Sequence, residues 1–163
     1  MVVGAGTVLD TETAQQCLDA GAKFLTSPGL VMEVVEFAVK KDVVVFPGVL
    51  TPTDVITAWK AGADFVKVFP CAQVGGPAYI RALKVPLPKV PLIASGGVNQ
   101  QSAANFIRAG ATAGHRIRVN PARGAATPAG GADPRTGAQI PGHGEEYARG
   151  AEETVINFRH RNG

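Results

Sequence analysis

A lysine set in the middle of an otherwise apolar strand is the first candidate for chemistry. Lys67 lies within Phe65-Val66-Lys67-Val68-Phe69, and the two-residue period of a strand puts it on one face with Phe65 and Phe69. Desolvation in such a place disfavours the ammonium form and is expected to lower the pKa, which suits an amine that attacks a ketone and forms a Schiff base. The bare pattern also suits a lysine paired with a carboxylate, or one whose ammonium reaches water at the strand end. Gly96-Gly97 follows the apolar run 91–95 and leads into a helix after Asn99, so backbone N–H groups and a helix N-terminus could face a phosphate. A tight strand-to-helix turn explains the same dipeptide, and Gly75-Gly76 before Pro77 reads as such a turn. Gly4-Ala5-Gly6-Thr7 is not a dinucleotide fingerprint, because Leu9 stands where the third glycine belongs. Thr7 could donate to a ligand or simply lead a helix.

Other chemistries find less support. Cys17 and Cys71 stand far apart without metal-ligand spacing, so neither a zinc site nor a disulfide framework is expected, and both read as reduced core residues. No metal and no cofactor are expected. The net charge of +3 is too small to argue for nucleic acid unless the basic residues share a folded face. No run approaches the roughly 18 apolar residues of a membrane span, and the opening MVVGAGT lacks the basic segment and cleavage site of a secretory signal. The expectation is a cytoplasmic protein with no membrane partner.

These residues need elements to position them. Short β-rich runs at 2–3, 24–26, 43–46, 65–69 and 92–94 alternate with helical patterns at 11–20, 31–41, 53–61, 78–83 and 100–109. Pro52 and Asn99 mark helix starts. Ala20-Gly21-Ala22, Ala61-Gly62-Ala63 and Ala109-Gly110-Ala111 each place a glycine where a helix stops, as a left-handed cap requires. Strands apolar on both faces and separated by helices predict a parallel sheet covered by helices. An open doubly wound sheet and part of a (β/α)8 TIM barrel both satisfy that pattern. Thr7, Ser27-Pro28, Pro47, Lys67 and Gly96-Gly97 all fall at C-terminal strand ends, which favours the barrel, whose sites gather there.

The pattern changes at Gly114. Residues 1–113 hold seven lysines and two arginines, whereas residues 114–163 hold seven arginines, no lysine and no leucine. The later stretch also packs nine glycines and four prolines into fifty residues, a composition poorly able to offset its ordering entropy. The expectation is therefore a folded domain over 1–113 and an aberrant, poorly ordered tail over 114–163.

Gly4-Ala5-Gly6-Thr7, Ser27-Pro28-Gly29, Pro47-Gly48 with Thr51-Pro52, Lys67-Val68-Phe69-Pro70, Gly75-Gly76 and Gly96-Gly97-Val98 stand in an order and spacing that resembles the 2-keto-3-deoxy-6-phosphogluconate (KDPG) / 4-hydroxy-2-oxoglutarate aldolases. The resemblance covers about 1–113 and implies a homotrimeric (β/α)8 barrel, a lyase that splits a phosphorylated keto-acid into pyruvate and an aldehyde without cofactor or metal. It implies that Lys67 is the Schiff-base lysine, that Thr7 and Ser95 hold the pyruvyl carboxylate, that Pro28 and Phe69 wall the pocket, and that Gly96 and Gly97 bind phosphate through backbone N–H groups. The family often has threonine where Ser95 stands.

The same resemblance marks departures. The family's general acid/base is a glutamate on an early strand followed by a substrate-binding arginine, and Met1 abuts what matches the third barrel strand. The chain is thus expected to hold about strands 3 to 7, with residues 2–3 and 91–94 as uncovered edges. Glu12, Glu33 and Glu36 fall on helices and do not replace the missing base. Reading the codons from Gly114 onward one nucleotide later permits Gly-Ile-Gly-Ser-Glu-Leu-Ile-Pro, the expected strand and phosphate loop, so the tail is read as frame-shifted. Impaired catalysis follows. The rival readings are another phosphate-binding barrel of the thiamine-phosphate-synthase type, which leaves Lys67 without a role, and an inactive remnant with an anion-binding basic tail.

Overall fold

The computed structural model describes residues 2–115; the expectations for the tail, from residue 116 on, lie outside them. Six short parallel strands form, four of them on the apolar runs: β1 (Phe24–Thr26), β2 (Val44–Phe46), β4 (Val66–Val68) and β5 (Leu92–Ser95), with β3 (Gly48–Val49) and β6 (Ala113–His115) outside those runs. Five helices lie between or before them: α1 (Thr11–Asp19), α2 (Met32–Lys40), α3 (Pro52–Lys60), α4 (Pro77–Lys84) and α5 (Gln100–Arg108). A 3-10 turn over Ala72–Val74, which no sequence pattern signalled, precedes α4.

The helix ends follow local chemistry. The Asp10 carboxylate accepts from the Thr13 N–H at 2.7 Å and caps α1. Thr51 with Asp54 on α3, and Asn99 with Ser102 on α5, form reciprocal capping boxes. Gly21, Gly62 and Gly110 all have positive φ, and the N–H of the residue after each bonds back into the last helical turn at 3.0–3.2 Å. The stop of α2 has no glycine. Asp42 takes φ 54 at the end of α2, and the following Val43 N–H reaches the Ala38 carbonyl at 2.9 Å. An acidic residue tolerates that conformation better than most side chains, which is why the stop escaped a search for glycine.

The order of pairing decides between the two sheet architectures. β1 pairs with β2, and β3, β4, β5 and β6 pair in that order, all parallel. Pro47, which has no N–H to donate, separates β2 from β3, yet its carbonyl accepts from the Lys67 N–H at 2.9 Å. Residues 44–49 thus act as one extended segment that pairs first with β1 and then with β4. Each strand neighbours the one before it in the chain, whereas a doubly wound sheet reverses direction at a switch point. The fold is α/β and TIM-barrel-like.

The expected strand at 2–3 and the expected open edge at 91–94 are corrected. Residues 2–3 do not form a strand. Instead, residues 3–5 run beside β1, with Lys23 N–H to Val3 O, Ala5 N–H to Phe24 O and Thr26 N–H to Ala5 O, each at 2.9 Å. At the other side, β6 lies along β5 with Ile93 opposite Ala113 and Ser95 opposite His115. Pairing needs only backbone groups, so the change of composition at Gly114 does not prevent it.

Strand alternation divides the core in two. Leu25, Val45, Val49, Val66, Val68, Leu92 and Ala94 face the helices and join the larger cluster with Val34, Ile80 and Phe106. Phe24, Phe46 and Ile93 point the other way, with Val44, Phe65 and Ala113 against them. The Phe24 and Phe46 rings stack at 5.0 Å, and Phe65 meets Phe46 edge-on at 6.4 Å. Leu92 is fully buried whereas Ile107 is 50% exposed. Leu92→Ala is therefore expected to lower stability by about 2–5 kcal/mol and Ile107→Ala by well under 1 kcal/mol, as read from urea unfolding monitored by circular dichroism. Equal effects would contradict the assignment of the two faces.

Candidate active site

The residues singled out by type converge on the C-terminal ends of the parallel strands. Lys67 is central on β4 and only 6% exposed, with Gly48 on β3 and Ile93 on β5 as its register partners. Its side chain shares a face with Phe65 and Phe69, as alternation requires, and the Nζ atom stands 5.6 Å from the centroid of the Phe69 ring. Phe69 continues the strand, its N–H bonding to Val49 O at 3.0 Å. The next peptide, to Pro70, is cis.

On β5, alternation sets Ser95 on the face of Ile93, and Ser95 is 1% exposed. Its carbonyl accepts from the Cys71 N–H at 2.7 Å, and the Gly96 carbonyl accepts from the Ala72 N–H at 3.0 Å. The turns after β4 and β5 are thereby laced together. Gly96 and Gly97 have φ of 82° and 79°, and a Cβ on Gly97 would lie 2.3 Å from that of Ala72, so only glycine serves here. The Asn99 side chain already takes the Ser102 N–H at 2.9 Å. An anion at this turn would rest on the glycine amides more than on the end of α5.

The other mouth residues come from the first two strand ends. Thr7 is exposed and has φ 57. That conformation is uncommon for any residue with a Cβ and strained for a branched one, and it occurs most often where a neighbouring structure holds it for a purpose. Nothing in the residue type announces it. Here the Val8 N–H, donating to Thr26 O at 3.1 Å, holds the turn to the end of β1. Ser27 is buried and its hydroxyl donates to Gly29 O at 2.6 Å, bending the chain around half-buried Pro28.

Sequence reasoning missed several groups that set this geometry. The buried Thr26 hydroxyl donates to Phe46 O at 2.8 Å and ties β1 to β2. The Asp64 carboxylate accepts from the Val45 N–H at 2.9 Å, and the Tyr79 hydroxyl donates to the Leu50 carbonyl. All three link residues at least 19 positions apart, beyond any local pattern. Glu12, Glu33 and Glu36 are exposed on α1 and α2. Among the described residues no three His, Cys, Asp or Glu side chains cluster as metal ligands, and no helix is long and apolar enough to cross a membrane.

Comparison with known proteins gives the family. The model of the KDPG and KHG aldolase family matches residues 1–116, and the chain belongs to that family. It is 35% identical over 105 residues to the 2-dehydro-3-deoxy-phosphogluconate aldolase of Pseudomonas aeruginosa, covering 64% of this chain and 48% of that protein. It is 39% identical over 110 residues to the 2-dehydro-3-deoxy-6-phosphogalactonate aldolase of Escherichia coli K12, covering 67% and 53%. The crystal structure of KDPG aldolase from Legionella pneumophila, with pyruvate captured at low pH as a covalent carbinolamine intermediate, superposes with a TM-score of 0.60 at 27% identity, covering 68% of this chain and 55% of that one. The chain spans about half the length of the curated relatives it matches.

Cys71, just beyond Lys67, is the nearby group most easily mistaken for a nucleophile. It is fully buried, its Sγ lies 3.8 Å from Gly76 O, and burial pushes its thiol up to about 11. The thiol is thus neutral at physiological pH and unreactive. In the unfolded chain it would ionise near 9.0, so between those values the unfolded state binds fewer protons and stability falls as pH rises. Urea unfolding at pH 8 and pH 10 is expected to show a loss of stability that is smaller in Cys71→Ala. An identical pH dependence in both would refute the buried neutral thiol.

Proposed function

We propose that this chain carries the imine-forming centre of a class I pyruvate aldolase acting on 2-keto-3-deoxy-6-phosphogluconate and 4-hydroxy-2-oxoglutarate. The observation that carries the reading is Lys67, a buried lysine at the C-terminal mouth of a parallel sheet, in a chain whose family match spans it. The carbinolamine captured in the Legionella enzyme supports the chemistry. The Lys67 amine adds to the C2 ketone to give a carbinolamine, and loss of water leaves a protonated imine. That imine accepts the electron pair of the breaking C3–C4 bond as an enamine, while the C4 hydroxyl gives up its proton and becomes the aldehyde. Protonation of the enamine and hydrolysis then release pyruvate and the free amine.

The remaining roles are those that the family resemblance implies. Thr7 and Ser95 hold the pyruvyl carboxylate, Pro28 and Phe69 wall the apolar side, and the Gly96 and Gly97 amides bind the phosphate. The described residues correspond to about strands 3 to 7 of the barrel, with a further strand begun at β6. Glu12, Glu33 and Glu36 lie on α1 and α2 rather than at strand ends, so proton transfer during carbon–carbon cleavage has no group assigned to it. Imine formation is accordingly the activity expected of these residues, and turnover the activity expected to be impaired. A homotrimer in the cytoplasm belongs to the same proposal. Exposed Ile56 and Trp59 on α3, with Val39 of α2 reaching Gly62 at its end, give an apolar face suited to self-association.

Incubation with pyruvate and borohydride, followed by mass mapping of peptides, tests the assignment. Labelling is expected at Lys67 and is expected to fall at least about a hundredfold in Lys67→Ala, because an alanine has no amine to add to the ketone. Equal labelling at Lys23, Lys60 or Lys84, or none at Lys67, would overturn it.

A further inference from the structure

Two aromatic rings among the described residues lie beneath a lysine nitrogen, and their surroundings differ. On α2 the Lys41 Nζ atom stands 5.3 Å from the centroid of Phe37, but Lys41 is exposed and water competes with the ring for its charge. On β4 the Lys67 Nζ atom stands 5.6 Å from the centroid of Phe69, within the roughly 6 Å reach of a cation–π contact. Lys67 is the only buried lysine among the described residues. Its contact is therefore of the desolvated kind, in which the negative face of a ring acts most strongly on a cation.

The ring is fixed in that position. Strand alternation puts Phe69 on the face of Lys67, the Phe69 N–H bonds to Val49 O at 3.0 Å, and the ring packs against the end of β5, where a Cβ on Gly96 would stand 3.2 Å from its Cδ2 atom. The register partners of Lys67, Gly48 on β3 and Ile93 on β5, bring no ionisable group beside it. The ionisable residues on the surrounding segments are Asp64, whose carboxylate takes the Val45 N–H, Cys71, whose thiol burial keeps neutral, and His115, which stands opposite Ser95 on β6. An aromatic face lowers the cost of burying a cation without itself titrating, which an aliphatic wall does not do.

We propose that the face of Phe69 is a charge partner of the Lys67 nitrogen, holding the positive charge of the ammonium in the resting protein and of the protonated imine once a keto-acid has added. This gives Phe69 an electrostatic part in the reaction besides that of an apolar wall, and it rests on the reading of Lys67 as the imine-forming amine. The nitrogen is positive as ammonium and as protonated imine, and neutral as free amine, carbinolamine and enamine. A ring face beneath it favours the first two states over the others. It thereby keeps the imine in the protonated form, the one that accepts the electron pair of the breaking C3–C4 bond.

The test is the pH profile of trapping at Lys67 with pyruvate and cyanoborohydride, a reagent that reduces a protonated imine in preference to a neutral one. Ammonium and protonated imine carry the same charge, so the height of the profile reports how well the pocket is formed. Its descending limb, where the nitrogen gives up its proton, reports what holds the charge. Pentafluorophenylalanine in place of Phe69 keeps the shape of the ring and removes its negative face, and the limb is expected to move to lower pH by roughly one unit, the size of a desolvated cation–π contact. Phe69→Leu, which keeps an apolar wall without a ring, is expected to move it in the same direction. The same fluorinated residue in place of Phe37, beneath the exposed Lys41, is expected to leave the limb where it is. A ring that is only a wall would change the height of the profile and not its limb, so a limb that stays in place or rises when Phe69 is fluorinated overturns the proposal. Should either Phe69 variant lose trapping altogether, 4-fluorophenylalanine decides, through a smaller shift in the same direction or none. No trapping at Lys67 in the native chain refutes the lysine assignment itself, and the charge partnership with it, whereas native trapping with an unmoved limb refutes only the latter.

Discussion

Every feature of the site depends on the two-residue alternation of parallel strands between a helix-covered face and an enclosed face. On β4, Val66 and Val68 sink into the helix layer while Phe65, Lys67 and Phe69 turn inward. Burying an ammonium-bearing chain is costly, so the strand that carries it has to be firmly held. The Lys67 N–H bonds to Pro47 and that of Val66 to Pro91, so the strand is held on both sides. A one-residue slip in register would send Lys67 into the helix layer and the valines into the mouth. Anchors such as Thr26 to Phe46 O and Asp64 to the Val45 N–H keep neighbouring strands from slipping.

The mouth is built on close backbone approaches. Gly97 against Ala72 and Gly48 against Pro28 bring neighbouring segments nearer than any Cβ would allow, and Gly96 meets Pro70 tightly. Hydrogen bonds from Cys71 to Ser95 O and from Ala72 to Gly96 O fasten the same turns. The lining of such a site is set as much by where side chains are missing as by where they are present. This gives the strained backbone of Thr7 a context: with the next residue, Val8, bonded to Thr26 O at the end of β1, it has little freedom to relax.

The helices provide the rigid frame behind that mouth. Their caps are satisfied locally, by Asp10, by the Thr51–Asp54 and Asn99–Ser102 boxes and by left-handed stops. Their buried faces meet the outward side chains of the strands in one continuous apolar cluster. The chemistry of the mouth is thus separated from the stability of the layer beneath it. This division of labour is characteristic of barrel enzymes, where strand ends and loops carry function.

Local chemistry alone determined a good part of this protein. Glycine stops, capping residues and hydrophobic period located all five helices to within about a residue or two, because each signal acts through contacts only three to five residues apart. The lysine at 67 and the glycine pair at 96–97 were legible too, since an ionisable residue in an apolar strand and two adjacent glycines at its neighbour's end are conspicuous without any fold. Residues 3–5, rather than 2–3, pair with β1, and β6 forms despite the change in composition at Gly114. Both outcomes depend on a partner strand that the local sequence does not contain. The choice of a singly wound order over a doubly wound one, the stop at Asp42, the left-handed Thr7 and the contact of Gly48 with Pro28 were decided by tertiary structure. In each case the deciding atoms belong to distant segments or to the backbone, whose positions are determined only once the strands have paired.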